Sequence, residues 1–421
     1  MSDEPYDFDR ILGEEDEDTA QKEREEEQRR SALSLLLRLH GQSGPGGESV
    51  HLLKRKLHEL LLSSLEGGGP QAEGGQDLRE SLPGIEARFV EQAMFPGLRK
   101  ACVVGVGGQF SAGKSRFLNS ISGLSGEVSL PVNQSPTTAV ATYLVHSSQM
   151  FMEAFTSRMR RVSLSAGDLA LMAHTFLDDY GIGIAPLLDK IVIGVPELQP
   201  EHVALLDTPG YNPAGQQEEG KHDRDVALTH LRGCDMLIWL ITKGTLEKTD
   251  LDMLKAVRLE HPVLLVLNMA DKHTESSLRD MLEELEGCVA SAGIPCFGVT
   301  AYSSLERREY FGRTFIRDFF VEAGNMGADK KDARQEFREL QRRCEESFQK
   351  RRKENDDLED RLRQGIRELD TPMDARALVD GYHAVCRRRE ELAGKRWRFN
   401  RLLCDIENLM EEYERRFRTR A

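Results

Sequence analysis

The sequence predicts an α/β domain with a mainly parallel sheet flanked by α-helices, joined to an α-helical region. Between residues 100 and 325, short apolar runs alternate with segments of helical periodicity, which is typical of a sheet covered by helices. After about Lys330 almost the whole chain has helical periodicity. One apolar stripe there is formed by Phe337, Leu340, Cys344 and Phe348.

The apolar runs of the α/β domain have strand length and end in polar or glycine-rich segments. Runs of this kind, separated by helical segments, indicate parallel strands connected by crossover helices. The predicted strands are Ala101–Val106, Val140–His146, Lys190–Val195, Val203–Leu206, Met236–Ile241, Val263–Leu267 and Cys296–Val299.

Composition and charge divide the chain into four predicted segments. Residues 1–30 are acidic and poor in large apolar side chains, which predicts a disordered tail. Residues 31–99 contain leucine-rich N-terminal helices and a Gly-rich linker. The α/β domain occupies residues 100–325, and residues 326–421 form a helical bundle or stalk with coiled-coil character.

The overall charge and the apolar runs exclude some classes of protein. The 421 residues carry a formal net charge of −14, so the global electrostatics do not favour nucleic acid as a partner. The longest apolar runs are too short to span a bilayer. The cysteines are scattered without a CxxC pair or zinc spacing, so we expect reduced thiols in a cytoplasmic protein and no structural metal.

A phosphate-binding motif follows the first predicted strand and opens a helix, the setting that this motif requires. Its glycines let successive backbone N–H groups surround a β-phosphate, and the helix N-terminus adds partial positive charge. Lys114 is expected to neutralise charge on the β- and γ-phosphates, and the Ser115 hydroxyl to ligate Mg²⁺. The predicted phosphate-binding residues are Gly108, Gln109, Phe110, Ser111, Ala112, Gly113, Lys114, Ser115 and Arg116.

A second motif, Leu206-Asp207-Thr208-Pro209-Gly210, closes another predicted strand. An acidic residue at the carboxyl end of a strand is well placed to hold Mg²⁺ directly or through water. Asp207 is therefore a predicted metal ligand. Gly210 is expected to present its backbone N–H to a γ-phosphate.

The segment Asn268-Met269-Ala270-Asp271 ends the predicted strand Val263–Leu267. It resembles the [NT]KxD motif of GTPases, in which the Asp accepts two N–H groups of guanine. Met269 stands where Lys is usual and can still cover the base with an apolar side chain, while Lys272 can supply a charge. We therefore predict that the site binds guanine, although the departure at Met269 leaves ATP as an alternative. Thr300-Ala301 is predicted to support the base from the loop after the last strand.

Between the phosphate-binding helix and the next strand lies Pro136-Thr137-Thr138. GTPases keep their first switch in this place, and one threonine there completes Mg²⁺ coordination when the γ-phosphate is present. Thr138 is the candidate. The predicted metal ligands are thus Ser115, Thr138 and Asp207.

These motifs together resemble the dynamin superfamily, especially its bacterial members and the EHD proteins. The resemblance rests on GQFSAGKS, LPVNQSPTTAV, LLDTPG and VLNMAD and covers roughly residues 100 to 300. It implies a large GTPase domain joined to a helical stalk or bundle drawn from both of its flanks. It also implies GTP, GDP and Mg²⁺ as ligands, a homodimer or nucleotide-dependent homo-oligomer, and action at the periphery of a membrane.

The spacing between Thr138 and Asp207 and the residue at position 110 bear on the resemblance to dynamins. From Thr138 to Asp207 there are 69 positions (207 − 138), more than two strands and a hairpin need, so residues 150–180 are predicted to form an insertion. Many eukaryotic dynamins carry a Gln where Phe110 stands, so their ion-assisted hydrolysis cannot be transferred to this chain. Ser111, Lys114 and Thr138 are the candidate catalytic residues, and we expect slow basal turnover.

Two other functions are compatible with the motifs. An Era/TrmE-type regulatory GTPase acting in RNA or ribosome biology carries similar motifs, but it usually adds a basic RNA-binding domain and needs no long insertion. A nucleotide-gated interaction scaffold is the other alternative. The segment Lys395–Phe399, with Arg387–Arg389, is a candidate lipid-contacting patch, but we favour a solvated helix face with Trp397 in the core.

Overall fold

The structure of the protein, a computed structural model, describes residues 26–41, 55, 85, 88–89, 92, 95–109, 111–130, 140–157, 160–173, 187–208, 225, 227–257, 261–368 and 375–418. The chain divides into two compact units. The first, here called the sheet unit, comprises Met1–Gly44 and Ala101–Lys330. The second, the helical unit, comprises Pro45–Lys100 and Lys331–Ala421.

The sheet unit contains all the described strands and the shorter helices. Its strands are β1 (Cys102–Gly108), β2 (Ala141–His146), β3 (Phe151–Thr156), β4 (Arg161–Ser163), β5 (Leu188–Val195), β6 (Val203–Asp207), β7 (Met236–Ile241), β8 (Val263–Leu267), β9 (Cys296–Ser303) and β10 (Arg308–Glu309). Its helices are α1 (26–40), α2 (Lys114–Ser122), α3 (Ala166–Ala173), α4 (227–232), α5 (Lys248–Val257), α6 (Glu275–Ala292) and α7 (Phe315–Asp329).

The ten strands form one sheet in the order β10-β9-β8-β7-β1-β6-β2-β5-β3-β4. The neighbours β9, β8, β7, β1 and β6 run parallel to one another, so their carboxyl ends meet at one edge. β2 is antiparallel to β6. The predicted fold class, a mainly parallel sheet flanked by helices, is confirmed.

The central strands form because their side chains are apolar on both faces. Every residue of β7 and of β8 is buried. Continuous apolar runs of this kind are typical of parallel strands covered by helices on both sides. The two faces correspond to two clusters of buried side chains, one of which contains Val104 and Leu264 and the other Trp239 and Leu265.

The long spacing before Asp207 contains additional elements. Strands β3 and β4 and helix α3 lie between β2 and β5, within the stretch where an insertion was predicted. β5 pairs with β2 and β3 pairs with β5, so these strands extend the sheet beyond β2. β3, β4 and β10 were not among the predicted strands. β4 and β10 are only three and two residues long, which leaves little periodicity for a sequence pattern to reveal.

Helix α1 belongs to the sheet unit, whereas the sequence divided its residues between an acidic tail and an N-terminal helical segment. Ala32, Leu35 and Leu39 are buried in the same cluster as the central strands. Arg38 donates to both carboxylate oxygens of Asp168 at 3.1 Å, which fastens α1 to α3. The boundaries of the two compact units lie after Gly44, Lys100 and Lys330.

The helical unit is built on two long helices, α8 (Ala333–Arg367) and α9 (Ala375–Arg418). α8 begins with a capping box, in which Asp332 and Gln335 bond each other's backbone N–H. The two helices pack against each other, with the rings of Phe348 and Phe399 5.6 Å apart. The segment Pro45–Lys100, which lies between the two segments of the sheet unit in sequence, contributes the buried side chains of Ile85, Phe89, Phe95 and Leu98 to the helical unit.

In the basic segment Lys395–Phe399 of α9, Trp397 does not lie where the sequence predicted. Trp397 was predicted to lie in the core, but 62% of it is exposed, and Arg401 stacks over its ring at 5.6 Å. Phe399 instead takes the core position, and Arg396 is paired with Glu345. The helical phase decides this, because Phe399 shares a face with Leu403 and Ile406 whereas Trp397 does not. Within the described ranges, no helix has both the length and the apolar character needed to cross a membrane.

The packing of α1 gives a testable prediction. Leu35 is fully buried, whereas Leu37 on the same helix is 65% exposed. Leu35→Ala should lower the free energy of unfolding of the sheet unit by about 2 to 5 kcal/mol, because it leaves a cavity. Leu37→Ala is the matched control and should change it by less than about 0.5 kcal/mol. Urea unfolding of the full chain measures both, and equal effects would contradict the docking of α1.

Candidate functional site

The candidate site lies at the carboxyl edge of the parallel strands, where the loop after β1 leads into α2. This loop requires glycine at two positions. Gly108 and Gly113 have φ values of 142° and 83°, in the region that favours glycine. A Cβ atom would come within 2.6 Å of the Leu240 carbonyl oxygen at Gly108 and within 2.7 Å of the Asn268 amide at Gly113. The backbone of the loop therefore packs closely against the ends of β7 and β8.

Helix α2 begins at Lys114, with Gly113 as its N-cap and no side chain capping its first turn. The first backbone N–H groups of a helix have no partner within the helix, and they carry the positive end of its dipole. Ser111 in the loop is exposed with φ 66°, and Arg116 in the first turn is exposed as well. This end of the helix can thus receive an anion. Phe110 lies outside the described residues.

Lys114 is held inside the loop. Its Nζ donates to the carbonyl oxygens of Gly108 and Gln109, both at 3.2 Å. Burial lowers the pKa of this ammonium group, and the nearby carboxylate of Asp207 partly opposes that shift. Two neutral carbonyls are weak partners for a buried cation, so a phosphate group would be a better one.

Asp207 is the other buried charged group of the site, at the end of β6. It accepts a hydrogen bond from Ser115 Oγ at 2.9 Å through Oδ2, while its Oδ1 has no hydrogen-bond partner among the described residues. Burial raises the pKa of Asp207 to about 6, although Lys114 and the hydroxyl of Ser115 act in the opposite direction. A buried oxygen without a partner, next to a hydroxyl, fits the oxygen ligands that Mg²⁺ prefers.

Strand β6 is joined to β1 at the site, because Thr208 Oγ1 donates to the Val106 carbonyl oxygen at 2.7 Å. This bond fixes the point where the chain leaves β6. The other predicted residues of the phosphate end, Thr138 and Gly210, lie outside the described residues. Their roles remain predictions from the sequence.

Asn268 connects the phosphate end with the predicted base end. Its Nδ2 donates to the Ala112 carbonyl oxygen at 2.9 Å, and its Oδ1 accepts from Ser304 Oγ at 2.9 Å. The side chain is almost fully buried. Asn268 therefore holds the loop after β1, the end of β8 and the end of β9 together.

Asp271 lies in the turn after β8, with Met269 and Lys272 beside it. Its Oδ1 accepts from Ser303 Oγ at 2.6 Å. Met269 has φ 60°, and its sulfur lies 3.4 Å from the Nζ of the exposed Lys272. The carboxylate of Asp271 is thus oriented by a neighbouring hydroxyl, with an apolar side chain next to it.

The structure places Thr300 and Ala301, the residues predicted to support the base, within β9. Both residues are fully buried inside β9, and Thr300 Oγ1 donates to Glu309 at 2.6 Å. The residues that reach the site are Ser303 and Ser304, because β9 continues past its predicted end at Val299 to Ser303. The register of β9 on β8 pairs Ala301 with Leu267, so residues that follow Ala301 lie beside Asn268. Extending the predicted strand would have found them.

A search of family models matches residues 104–270 to the dynamin family. This span runs from β1 to the turn after β8 and contains the Lys114, Asp207 and Asn268 positions. A search of curated proteins gives no match to the chain.

A comparison with solved structures gives matches of low similarity. One is an oligomerised bacterial dynamin pair associated with long-range sensing and tethering of membranes, at 18% identity and a TM-score of 0.40, over 69% of this chain and 43% of that one. A second structure of such a pair gives 16% identity, a TM-score of 0.41, and coverage of 82% and 51%. Era from Aquifex aeolicus, bound to GDP and AlF4⁻, gives 14% identity, a TM-score of 0.31, and coverage of 54% and 56%.

The chain spans about half the length of the bacterial dynamins that it matches. At these TM-scores the overall likeness carries no argument about activity. The family match and the local geometry lead to the same assignment, since the matched residues form the sheet edge at which Lys114 and Asp207 meet. Residues 104–270, which include both of these groups, are thus similar to the dynamin family.

Proposed function

We propose that this protein binds GTP and GDP together with Mg²⁺, hydrolyses GTP slowly, and self-associates in a nucleotide-dependent way at the periphery of a membrane. The observation that carries the proposal is the meeting of Lys114, Ser115 and Asp207 at one sheet edge, next to Asn268 and Asp271. The phosphate end supplies charge and the base end supplies selectivity. Each part of the proposal rests on a different set of contacts.

The triphosphate is expected at the N-terminus of α2. Backbone N–H groups of the loop Gly108–Ser115 and the helix dipole stabilise its negative charge. Lys114 would exchange its two carbonyl partners for phosphate oxygens, which are stronger acceptors for an ammonium group. This exchange favours nucleotides with a charged tail over nucleosides.

The residues present fit Mg²⁺. Ser115 Oγ, the unpartnered Oδ1 of Asp207 and, from the sequence, Thr138 would hold the ion. When bound, Mg²⁺ neutralises the charge that the β- and γ-phosphates share. Asp207 must be deprotonated to act as a ligand, and its buried position works against deprotonation.

Asp271 supports the choice of guanine. An ionised carboxylate accepts two hydrogen bonds, as the N1–H and N2–H groups of guanine require, and adenine offers no such pair. Ser303 Oγ occupies one lone pair of Asp271 Oδ1 and orients the group. Met269 would cover the ring as an apolar lid.

Hydrolysis, self-assembly and membrane association are the less direct parts of the proposal. The match of residues 104–270 to the dynamin family supports GTP hydrolysis in general. The structures of bacterial dynamins that align with this chain are oligomerised pairs concerned with membranes, which is a property of those proteins. On this chain, Trp397 is exposed with Arg398 and Arg401 next to it, a combination suited to the interface of an anionic membrane.

The choice of base can be tested at Asp271. Asp271→Asn replaces a double acceptor with one donor and one acceptor, which matches xanthine better than guanine. GTP affinity should fall by about 10²- to 10⁴-fold while XTP affinity rises. Competition titrations with GTP, XTP and ATP measure the change. Asp280→Asn, at an exposed position of α6, is the matched control and should leave the preference unchanged. Unaltered GTP preference in Asp271→Asn would rule out this role.

The ionisation of Asp207 predicts a pH dependence. Because its pKa is raised to about 6, a growing fraction is protonated below that pH and cannot bind Mg²⁺. The Mg²⁺-dependent part of the GDP affinity should be constant above pH 7 and fall by about tenfold from pH 7 to pH 5. Calorimetry with and without Mg²⁺ measures it. Asp207→Asn should show weak Mg²⁺ dependence at every pH, and a flat wild-type profile from pH 7 to 5 would contradict the assignment.

Assembly can be tested by light scattering after gel filtration. The protein with a GTP analogue should elute with a larger mass than the protein with GDP or without nucleotide, because the γ-phosphate orders the switch segments. Lys114→Ala should abolish the difference through loss of nucleotide binding. Equal masses for the wild type in all three conditions, although both nucleotides are shown to bind when present, would contradict the assembly part of the proposal. That result would leave nucleotide binding intact.

A further inference from the structure

The side chain of Gln109 links the phosphate-binding loop to the first turn of α5. Its Nε2 donates to Asp250 Oδ2 at 2.9 Å and to Glu247 Oε2 at 3.1 Å. Hydrogen bonds from an amide to ionised carboxylates are stronger than bonds between neutral groups. The second residue of the loop is therefore held by two carboxylates on a different element.

Asp250 is the centre of this connection. It is 3% exposed, and its Oδ1 accepts from Trp239 Nε1 at 3.2 Å. Its Oδ2 also accepts from the backbone N–H of Glu247 at 3.2 Å. These partners are all donors, which suits a carboxylate because it only accepts. An amide at this position would have to turn its own N–H groups towards one of them.

Trp239 lies directly under the loop. It is fully buried in β7, and a Cβ atom on Gly107 would come within 2.6 Å of its ring. Asp250 thus joins the indole below the loop to the amide side chain within it. We call the three residues Trp239, Asp250 and Gln109 the brace.

The backbone of Gln109 shows what the brace positions. The carbonyl oxygen of Gln109 accepts from Lys114 Nζ at 3.2 Å and from the Ala112 N–H at 3.1 Å. Contacts that fix the side chain of Gln109 therefore also help to fix the carbonyl oxygen that accepts from Lys114 Nζ. A cavity of about 30 Å³, lined in part by Gln109, Ala112 and Asp250, lies next to the loop.

We propose that Asp250 is a positioning residue. Through Gln109 it holds the phosphate-binding loop, together with the carbonyl oxygens that bind Lys114 Nζ, in the conformation that binds nucleotide phosphates. This inference rests on the proposed nucleotide site. The first turn of α5, which carries Asp250, then contributes to nucleotide binding through its contact with Gln109. Loss of the brace weakens nucleotide affinity in a protein that still folds.

Two substitutions break the brace from opposite ends. In Asp250→Asn the new amide N–H groups must point at one of the two donors, Gln109 Nε2 or Trp239 Nε1. Gln109→Met keeps the length of the side chain without its N–H groups. Each should weaken GDP binding by about 10- to 100-fold, as expected for lost hydrogen bonds to charged groups. Fluorescent GDP titration of the full chain measures the affinity, and circular dichroism melting checks the fold.

A donor–acceptor exchange separates positioning from general damage. Gln109→Glu alone brings a third carboxylate next to Asp250 and Glu247 and should weaken GDP binding more than Gln109→Met does. Combined with Asp250→Asn, the exchange restores a donor facing an acceptor between positions 109 and 250 at unchanged net charge, and it removes one of the two carboxylates that repel the new one at position 109. The double variant should bind GDP at least tenfold more tightly than Gln109→Glu. Failure of this recovery would refute the proposed pairing.

Lys243→Ala is the matched control. Lys243 is exposed and pairs with Glu247 Oε1 at 2.8 Å, so its loss leaves the contacts of Gln109 intact. Its GDP affinity should stay within twofold of the wild type. If Asp250→Asn and Gln109→Met also stay within twofold, the inference is wrong while the nucleotide site stands.

Amide hydrogen exchange of the nucleotide-free protein gives a readout that does not depend on binding. Peptides covering residues 108–115 should exchange faster in Asp250→Asn and Gln109→Met than in the wild type and Lys243→Ala. Unchanged exchange would overturn the positioning role. If the wild type binds no nucleotide, the proposed function fails, and the exchange rates still decide whether the brace orders the loop.

Discussion

Two oppositely charged side chains, Lys114 and Asp207, are held almost out of contact with water at the carboxyl edge of the sheet. Burial moves the pKa of each towards the neutral form, and neither has a fully compensating charged partner. Removing an ion from water costs several kcal/mol when its partners are incomplete. A ligand that brings both phosphate oxygens and a divalent cation offsets this cost on both sides. The remaining features of the sheet unit keep these two groups in place.

The loop that carries Lys114 is fixed from three directions. Leu240 at the end of β7 leaves no room for a side chain at Gly108. Asn268 bonds the Ala112 carbonyl from β8, and Asp250 bonds Gln109 from α5. Since these contacts come from consecutive elements of the sheet unit, the geometry of the anion site depends on the register of the central strands.

The two units are stabilised in different ways. The sheet unit buries continuous apolar strands on both faces, and helix α1 adds Leu35 and Leu39 to that core. The helical unit instead combines an apolar seam, in which Phe348 meets Phe399, with charged pairs along long helices. The nearly buried Glu359, for example, binds both Arg363 and Arg389 at 2.7 Å. Exposed pairs such as Arg342–Glu346 and Arg352–Asp356 contribute little each.

The sequence by itself determined the fold class and the candidate residues of the phosphate-binding loop. Gly108 to Ser115 is a contiguous motif, and glycine at set positions next to a helix start fixes a local backbone geometry. Asp207 could be predicted because it ends a buried strand. The same local logic indicated the insertion before Asp207, since spacing alone requires extra elements.

Only the tertiary structure decided the contacts between residues that are far apart in sequence. Ser303 and Ser304 reach the base end because β9 runs on past Val299 in register with β8. Asp250 meets Gln109, and α1 joins the sheet unit, through contacts that no local pattern specifies. A shift of one residue in a strand would turn these side chains to the other face. Local motifs determine which groups are present, and the register and packing of distant elements determine which of them meet.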